Sequence, residues 1–303
     1  MSPDVAASLR ARLLRKAKER GEEFELFLVR FAIERFLYRL GASPHRDRCV
    51  LKGAALLTLW MDDPYRASRD VDLLASGPSD EAAVRDIVTT ICEVPCAEDG
   101  VRFDVASIQI SPIREEDKYS GHRAVLLAYL GSARIRMQVD FGFGDEVKPP
   151  PEDAEYRTLL DHLPAPSLRT YPRVVSVAEK FHAMVTLGRR NSRMKDFHDV
   201  WALTTAFAFD GRALREAMTT CFERRDTPWT SDPPDVLTSA FYDDPALRDR
   251  WGAYLRAGGL RTPPPARFET IGERVRAFLD PVQQAVAANV PFGPHWDADG
   301  PWR

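Results

Sequence analysis

The sequence predicts an α+β fold, in which a small mixed sheet lies between an N-terminal helical pair and a mainly helical C-terminal region. Three observations predict this organisation. Apolar residues recur at helical spacing in two segments before Gly41. Strand patterns alternate with a helix over residues 49–149, and helical patterns dominate after Pro149. We therefore expect two domains, residues 1–150 and residues 151–303.

The N-terminal pair consists of two helices separated by Gly21. In the first, Leu9, Leu13 and Ala17 share one stripe at a spacing of four residues. The second, over residues 22–40, is apolar on nearly all sides. A helix of that kind is normally buried between other elements.

The central segment predicts a helix over residues 54–61 and a strand over residues 71–75. Ser79 is the expected cap of a following helix that ends near residue 93. Three further strands are expected over residues 101–110, 123–130 and 133–143. The last alternates apolar and polar residues, and Gly131-Ser132 before it suits a two-residue hairpin turn.

The C-terminal region predicts five helices, over residues 174–187, 194–206, 211–223, 245–257 and 270–288. The proline-rich residues 262–265 are expected to be a linker. The tail from Pro291 is expected to be loose, as chain ends often are.

The charge balance excludes a generally basic protein, because the formal net charge is −3. A nucleic-acid site would therefore have to be a local patch. Two patches are visible, residues 10–20 and residues 167–195, and the second has seven basic residues against Glu179. No apolar run approaches the ~18 residues of a membrane span, and no signal peptide is evident. We expect a cytoplasmic protein without a membrane partner.

The first candidate site joins Lys52-Gly53 to Asp70-Val71-Asp72. On a strand, residues two apart point the same way, so Asp70 and Asp72 should project together. Paired carboxylates suit Mg²⁺, which takes one or two carboxylates plus substrate phosphates. Glycine beside a helix start also lets backbone N–H groups approach a phosphate. The alternative is a pair of solvated acids at a strand end.

A third carboxylate, Asp140, lies on the last predicted strand. If that strand pairs beside the one that carries Asp70 and Asp72, three carboxylates converge, the set needed for two metal ions. Asp145 and Glu146 compete with Asp140 for this role, but we interpret them as turn acids.

Two helical motifs follow in the C-terminal region. Lys180 lies at the edge of an apolar stripe, where it either extends to solvent or contacts NTP phosphates. Lys195 and Asp199 are four residues apart, which alone predicts ordinary helix support. Arg193 and Asp196 face another side and are available for a site.

In this order the motifs resemble the AbiEii/AbiGii nucleotidyltransferase toxins, over about residues 10–260. The matching segments are Lys52-Gly53-Ala54, Arg66-Ala67-Ser68-Arg69-Asp70-Val71-Asp72, the strand with Asp140, Ala178-Glu179-Lys180, and Asn191-Ser192-Arg193-Met194-Lys195-Asp196. One departure is Gly53-Ala54, where the DNA-polymerase-β-like superfamily usually has Gly-Ser. Without that hydroxyl, phosphate contact would fall to backbone amides and Lys52.

The resemblance implies a polymerase-β-like core in the toxin half of a toxin–antitoxin or abortive-infection pair. It implies Mg²⁺ or Mn²⁺ as cofactor, an NTP as substrate, and transfer to RNA at the tRNA 3′ end. A cognate antitoxin is a further expected partner, either a kinase or a transcriptional regulator. Carried over by motif, the catalytic residues would be Asp70, Asp72, Asp140, Lys180 and Asp196, with the first three as metal ligands.

The remaining expected contacts are to the two substrates. The NTP-binding residues would be Lys52, Gly53, Ser68, Arg69 and Lys180. The RNA would bind Arg189, Arg190 and Arg193, and the acceptor stem of tRNA is the expected partner. Two other functions remain open: nucleotide transfer to a protein or small molecule, and a non-enzymatic NTP sensor.

Overall fold

The computed structural model of the chain describes residues 3–61, 66, 69–113, 121–144, 146–257 and 260–303. Its fold divides into two units: Met1–Asp145 with Pro151–Tyr171, and Glu146–Pro150 with Pro172–Arg303. The first contains the main sheet, and the second is mainly helical, so the predicted α+β class is confirmed.

The sheet of the first unit has seven strands in the order β3-β4-β5-β2-β1-β7-β6. The strands are β1 (Cys49–Lys52), β2 (Val71–Ala75), β3 (Val101–Ile113), β4 (Gly121–Leu130), β5 (Ala133–Phe143), β6 (Glu152–Glu155) and β7 (Ser167–Thr170). The pairs β2–β5 and β1–β7 are parallel, and the other neighbours are antiparallel, so the sheet is mixed.

The predicted strands and hairpin agree with this sheet, and three strands were not predicted. β4 and β5 pair as a hairpin, with Leu130 opposite Ala133. The strands β1, β6 and β7 have four residues each, too few to display an alternating pattern. Because β6 and β7 pair into the sheet, the first unit extends beyond the proline run at residue 149.

Four helices accompany the sheet: α1 (Pro3–Glu19), α2 (Phe24–Ala42), α3 (Ala55–Trp60) and α4 (Glu81–Glu93). α2 is buried on most sides, as its composition predicts, and packs against α1, α4, β5 and β7. The predicted cap Ser79 is wrong by one residue. The Asp80 carboxylate accepts the N–H of Ala83 at 2.9 Å and caps α4 instead.

A buried ion pair links α2 to the segment that leads into β3. The Arg39 guanidinium donates to both oxygens of Asp99, at 2.6 and 3.2 Å, and to the carbonyl of Val101 at 3.2 Å. Asp99 also accepts the N–H of Val101 at 2.9 Å. Both side chains are almost fully buried, so the pair fixes the start of β3 against α2.

The second unit has six helices among the described residues: α5 (Arg173–Leu187), α6 (Met194–Ala206), α7 (Gly211–Arg224), α8 (Ser239–Tyr242), α9 (Pro245–Arg256) and α10 (Phe268–Ala287). Five of them match the predicted helices to within two residues. α5 packs against α6 and α7, and α10 packs against the same two helices, which gives this unit its core.

The prediction of a loose tail is wrong. A short strand β9 (His295–Trp296) pairs with β8 (Phe209–Asp210). Trp296 is buried, and its indole N–H donates to the carbonyl of Thr204 at 2.9 Å. Trp302 stacks on Phe278 with ring centroids 5.3 Å apart. Aromatic burial therefore fixes the tail, and such long-range packing has no local sequence signal.

The Arg39–Asp99 pair generates a test of stability. Asp99→Ala leaves a buried guanidinium without its carboxylate, so we expect the free energy of unfolding to fall by about 3–5 kcal/mol. The measurement is urea unfolding followed by circular dichroism. Asp86→Ala, at an exposed position of α4, is the matched control and should change stability by less than about 0.5 kcal/mol. Similar midpoints for the two variants would contradict the role of this pair.

Candidate active site

Four charged residues stand side by side on one face of the main sheet. The pairing register places Lys52 of β1 opposite Asp72 of β2, Asp72 beside Asp140 of β5, and Asp140 opposite Arg123 of β4. Directly paired residues share a face of the sheet. The sequence argument required β2 and β5 to be neighbours, and the structure confirms that they are.

We call these four residues the charged row. Its two central residues, Asp72 and Asp140, repel each other. Asp72 and Asp140 are carboxylates on adjacent strands, where like charges directly opposite are destabilising. Arg123 offsets this repulsion on one side. Its Nε donates to Oδ1 of Asp140 at 2.9 Å, and a terminal nitrogen donates to Oδ2 at 2.7 Å. Along the row, two adjacent anions therefore lie between two cations.

The electrostatic effect of this arrangement extends to Asp70. The pKa of Arg123 is raised, mainly because the guanidinium donates hydrogen bonds to Asp140, and further by the charges of Asp140, Asp70 and Asp72. Asp70 lies directly before β2 and is half-buried. All three carboxylates thus act on one arginine, so they belong to one local region of the first unit.

Gly53 follows Lys52 and is required by the position of Asp72. Its φ is +71°, in the left-handed region, and a Cβ there would stand 1.9 Å from Oδ2 of Asp72. No other residue type fits without moving that carboxylate. The role predicted for Gly53 was an approach to phosphate, whereas the observed contact is with a carboxylate of the charged row.

The donor chemistry of the charged row fits a divalent cation. Among the described residues, no group of three or more His, Cys, Asp or Glu side chains forms a ready metal site. Arg123 and Gln138 donate three hydrogen bonds to Asp140, and a carboxylate has about four acceptor positions. Asp140 thus has room for about one further ligand, while Mg²⁺ needs only one or two carboxylates.

Two predicted NTP contacts precede Asp70. Ser68 lies outside the described residues. Arg69 is described and exposed, directly before Asp70 in the chain. Its role in NTP binding stays a prediction.

The second unit contains Lys180 and Asp196, and the structure brings these two side chains into contact. The Lys180 ammonium on α5 donates to Asp196 at 3.2 Å and to Asp199 at 2.6 Å, both on α6. The two carboxylates are at most 1% exposed, and the lysine side chain is 17% exposed. Because a buried carboxylate requires a cation, Lys180 supports both acids.

The sequence did not predict the partner that the structure gives Asp199. Asp199 points into the unit toward Lys180, and Lys195 is exposed. Arg193 adds a second cation beside Asp196, with 2.8 Å between its Nε and Oδ2 of the carboxylate. Two cations thus face two buried anions, and this group, which we call the Lys180 cluster, is close to neutral.

The arginines predicted to bind RNA are largely engaged within the second unit. Arg189 donates to Asp235 at 2.7 and 2.9 Å and to Asp244 at 2.9 Å, and these bonds raise its pKa. Arg193 faces Asp196. Arg190 is exposed and makes no ion pair with any residue that the structure describes. An RNA role for the three stays a prediction, with Arg190 the most accessible.

Two residues of these groups were missed by the sequence argument. Arg123 begins a predicted strand, and only the strand register shows that it faces Asp140. Asp199 was assigned to a partner on its own helix, because the contact with Lys180 joins two helices. A search for basic residues directly opposite Asp140 across the predicted hairpin would have found Arg123.

Comparison with known proteins supports the resemblance stated above. A family model described as nucleotidyl transferase AbiEii toxin, type IV toxin–antitoxin system, matches residues 35–280. No functionally curated protein matches the sequence. Within the part of the chain that the structure describes, no helix is both long and apolar enough to span a membrane.

Two solved structures from Helicobacter pylori are similar in fold. A candidate nucleotidyltransferase has 11% identity and a TM-score of 0.47, and the match covers 86% of this chain and 95% of that one. The protein JHP933 has 11% identity and a TM-score of 0.48, with 85% and 91% covered. These scores are too low to bear on the assignment. The match to the family model extends over most of the sequence, and the chain belongs to the AbiEii family of nucleotidyl transferase toxins of type IV toxin–antitoxin systems.

Proposed function

We propose that this nucleotidyltransferase moves a nucleotide from an NTP to the 3′ end of tRNA, with Mg²⁺ or Mn²⁺ as cofactor. The observation that carries the proposal is the charged row, in which Asp72 and Asp140 lie side by side between Lys52 and Arg123. Adjacent carboxylates are costly without a cation. A site in which two carboxylates are adjacent therefore favours the binding of a cation.

Asp70 and Asp72 would be the principal ligands of the cofactor, and Asp140 would add one oxygen. When bound there, the cofactor would supply positive charge to activate the attacking hydroxyl and to neutralise the leaving pyrophosphate. Arg123 fixes the orientation of the Asp140 carboxylate through two hydrogen bonds. Gly53 leaves the space that the Asp72 carboxylate occupies. These residues preorganise the site before substrate arrives.

Lys52 supplies the charge for the triphosphate. It flanks Asp72 on the side opposite Asp140, and its ammonium lies 6.0 Å from the Tyr171 ring centre. Its Nζ is also 3.5 Å from where a Cβ on Gly142 of β5 would stand, so Lys52 reaches across β2. A point charge there would bind phosphate oxygens and leave the carboxylates to the cofactor. Arg69 and Lys180 are proposed to assist NTP use.

An RNA acceptor agrees with a reaction that needs no protein nucleophile. The terminal hydroxyl of the acceptor attacks the α-phosphate in line, and the protein supplies placement and charge. Membership of a type IV family implies a cognate antitoxin. We propose a kinase or a transcriptional regulator for that partner, and the cytoplasm for the reaction. The family assignment as an enzyme disfavours the NTP-sensor alternative.

The central test is transfer by the wild type and by Asp72→Asn. Wild-type protein with labelled NTPs, Mg²⁺ and total bacterial tRNA should give labelled tRNA on a denaturing gel. Asp72→Asn should lower the rate by about 10²–10³-fold, because the site loses metal-binding charge. It should not lower the melting temperature, because it also removes the repulsion with Asp140.

Asp86→Asn is the matched control, because this exposed acid lies on α4 of the same unit and outside the sheet. It should retain transfer. Near-wild-type turnover by Asp72→Asn would refute the assignment of the charged row, and label on a protein instead of tRNA would replace RNA as the acceptor.

Gly53 allows a test of carboxylate placement. Gly53→Ala puts a methyl group into the position of Asp72 Oδ2, so the carboxylate must move, and transfer should fall by about 10²-fold. Gly21→Ala is the control: its φ of +64° imposes the same backbone strain, but nothing lies within 4 Å. Equal activity of the two variants would show that Asp72 tolerates displacement.

A test of the Lys180 cluster must separate two roles of Lys180, stabilisation of the buried aspartates and binding of substrate. Lys180→Ala should lower the free energy of unfolding by about 3–5 kcal/mol, because Asp196 and Asp199 are buried anions. Adding Asp199→Asn removes one of those anions and should restore most of the stability. If Lys180 also assists NTP use, the stable double variant still shows a raised KM for NTP. An unchanged KM in that variant would assign Lys180 to support alone.

A further inference from the structure

In the part of the chain that the structure describes, one face of the strands β3, β4 and β5 is left half-buried or exposed. Alternate residues of β4 and β5, such as Ala124, Leu126 and Met137, are buried on the other face. The residues between them are half-buried or exposed. We call this surface the open face, and its members are Arg102, Val125, Leu127, Tyr129, Arg134 and Arg136.

The open face is basic at its edges and apolar along its centre. Val125, Leu127 and Tyr129 form a stripe along β4. Arg134 and Arg136 flank it on β5, and Arg102 flanks it on β3, where its guanidinium lies 4.4 Å from the Tyr129 ring centre. Exposed cations around an aromatic ring are the combination that binds nucleic acid, since phosphates need charge and bases need a stacking surface.

The arginines of β5 are available to a ligand. Arg134 and Arg136 are exposed, and neither makes an ion pair with a residue that the structure describes. Among the described residues of the open face, the acid is Asp104 of β3, which lies opposite Leu127 in the register and is therefore two strands away from Arg136, with β4 between them. In contrast, Arg189 of the second unit is bonded to two aspartates.

The open face runs directly into the charged row. Arg134, Arg136, Gln138 and Asp140 follow one another at every second position of β5, so their side chains share one face. At about 3.4 Å per residue, Arg134 lies about 20 Å from Asp140. An extended anion that lies along β5 would therefore reach the carboxylates with one end.

We propose that the open face binds the acceptor RNA and directs its 3′ end to the charged row. This inference rests on the proposed function and names the surface that its acceptor uses. Arg134 and Arg136 contact backbone phosphates, and Tyr129 and Leu127 provide a surface for an unpaired base. The charges match a polyanion better than a protein partner, because three arginines and one acid, Asp104, are described on the open face outside the charged row.

The test measures binding of labelled total bacterial tRNA, without NTP, between about 50 and 200 mM salt. Arg134→Gln with Arg136→Gln should weaken binding on the order of tenfold at about 0.1 M salt. The slope of log K against log salt should fall by about 2, since each lost phosphate contact removes about one. Arg134→Lys with Arg136→Lys retains the charges and should bind nearly as the wild type.

Two comparison variants locate the effect. Arg212→Gln with Arg256→Gln removes two exposed arginines of α7 and α9 and should leave the slope unchanged. Arg190→Gln tests the other candidate RNA-binding surface, the one predicted from the sequence around Arg189, Arg190 and Arg193. In transfer assays, the Arg134 and Arg136 glutamine variant should raise KM for tRNA and leave KM for NTP unchanged.

The outcomes separate this inference from the proposed function. If wild-type protein binds and labels tRNA but the glutamine variant retains the wild-type slope, the inference is overturned and the proposed function stands. If that variant instead loses transfer to a protein acceptor, the open face is a protein interface and the inference is again overturned. If the wild type neither binds nor labels tRNA, the proposed RNA acceptor itself fails.

Discussion

The parallel pairing of β2 with β5 is the constraint on which the candidate site depends, because it forces Asp72 and Asp140 into adjacent positions. Two carboxylates at that distance are unfavourable unless positive charge is near. The fold supplies some of it through Arg123 and Lys52 on the flanking strands. Gly53 then frees the volume that Asp72 needs. Much of the local sequence around this row can be understood as the consequence of placing two acids side by side.

The Lys180 cluster also places two carboxylates close together, but these carboxylates are more deeply buried than those of the charged row. In the charged row the acids are half-buried, so they remain partly accessible to solvent. Asp196 and Asp199 are buried, so their charge is balanced by side chains of the same unit. The charged row and the Lys180 cluster thus differ in exposure more than in residue type. This distinction cannot be read from the order of the motifs along the chain.

The sequence predicted the elements whose signal is local. Five of the helices of the second unit, the hairpin of β4 and β5 and the strand that carries Asp72 follow from periodicity and turn residues. The meeting of Asp72 with Asp140 was predicted as a condition on strand order. Arg123 was missed because the register implied by the predicted hairpin turn was not followed back to Asp140. The partners of Arg189 lie 46 and 55 residues away in the chain. The buried tail was missed because Trp296 and Trp302 pack on residues of distant helices.

The open face also has a consequence for the solubility of the protein. Val125, Leu127 and Tyr129 form a partly exposed apolar stripe, and β3 beside it is an edge strand of the sheet. Such a combination invites intermolecular strand pairing. Arg102, Arg134 and Arg136 place charge on both sides of the stripe, which is how natural proteins protect unavoidable apolar strands from aggregation. The same arginines therefore contribute to the solubility of the protein as well as to the proposed binding. Variants with neutral residues at these positions should aggregate least at low protein concentration.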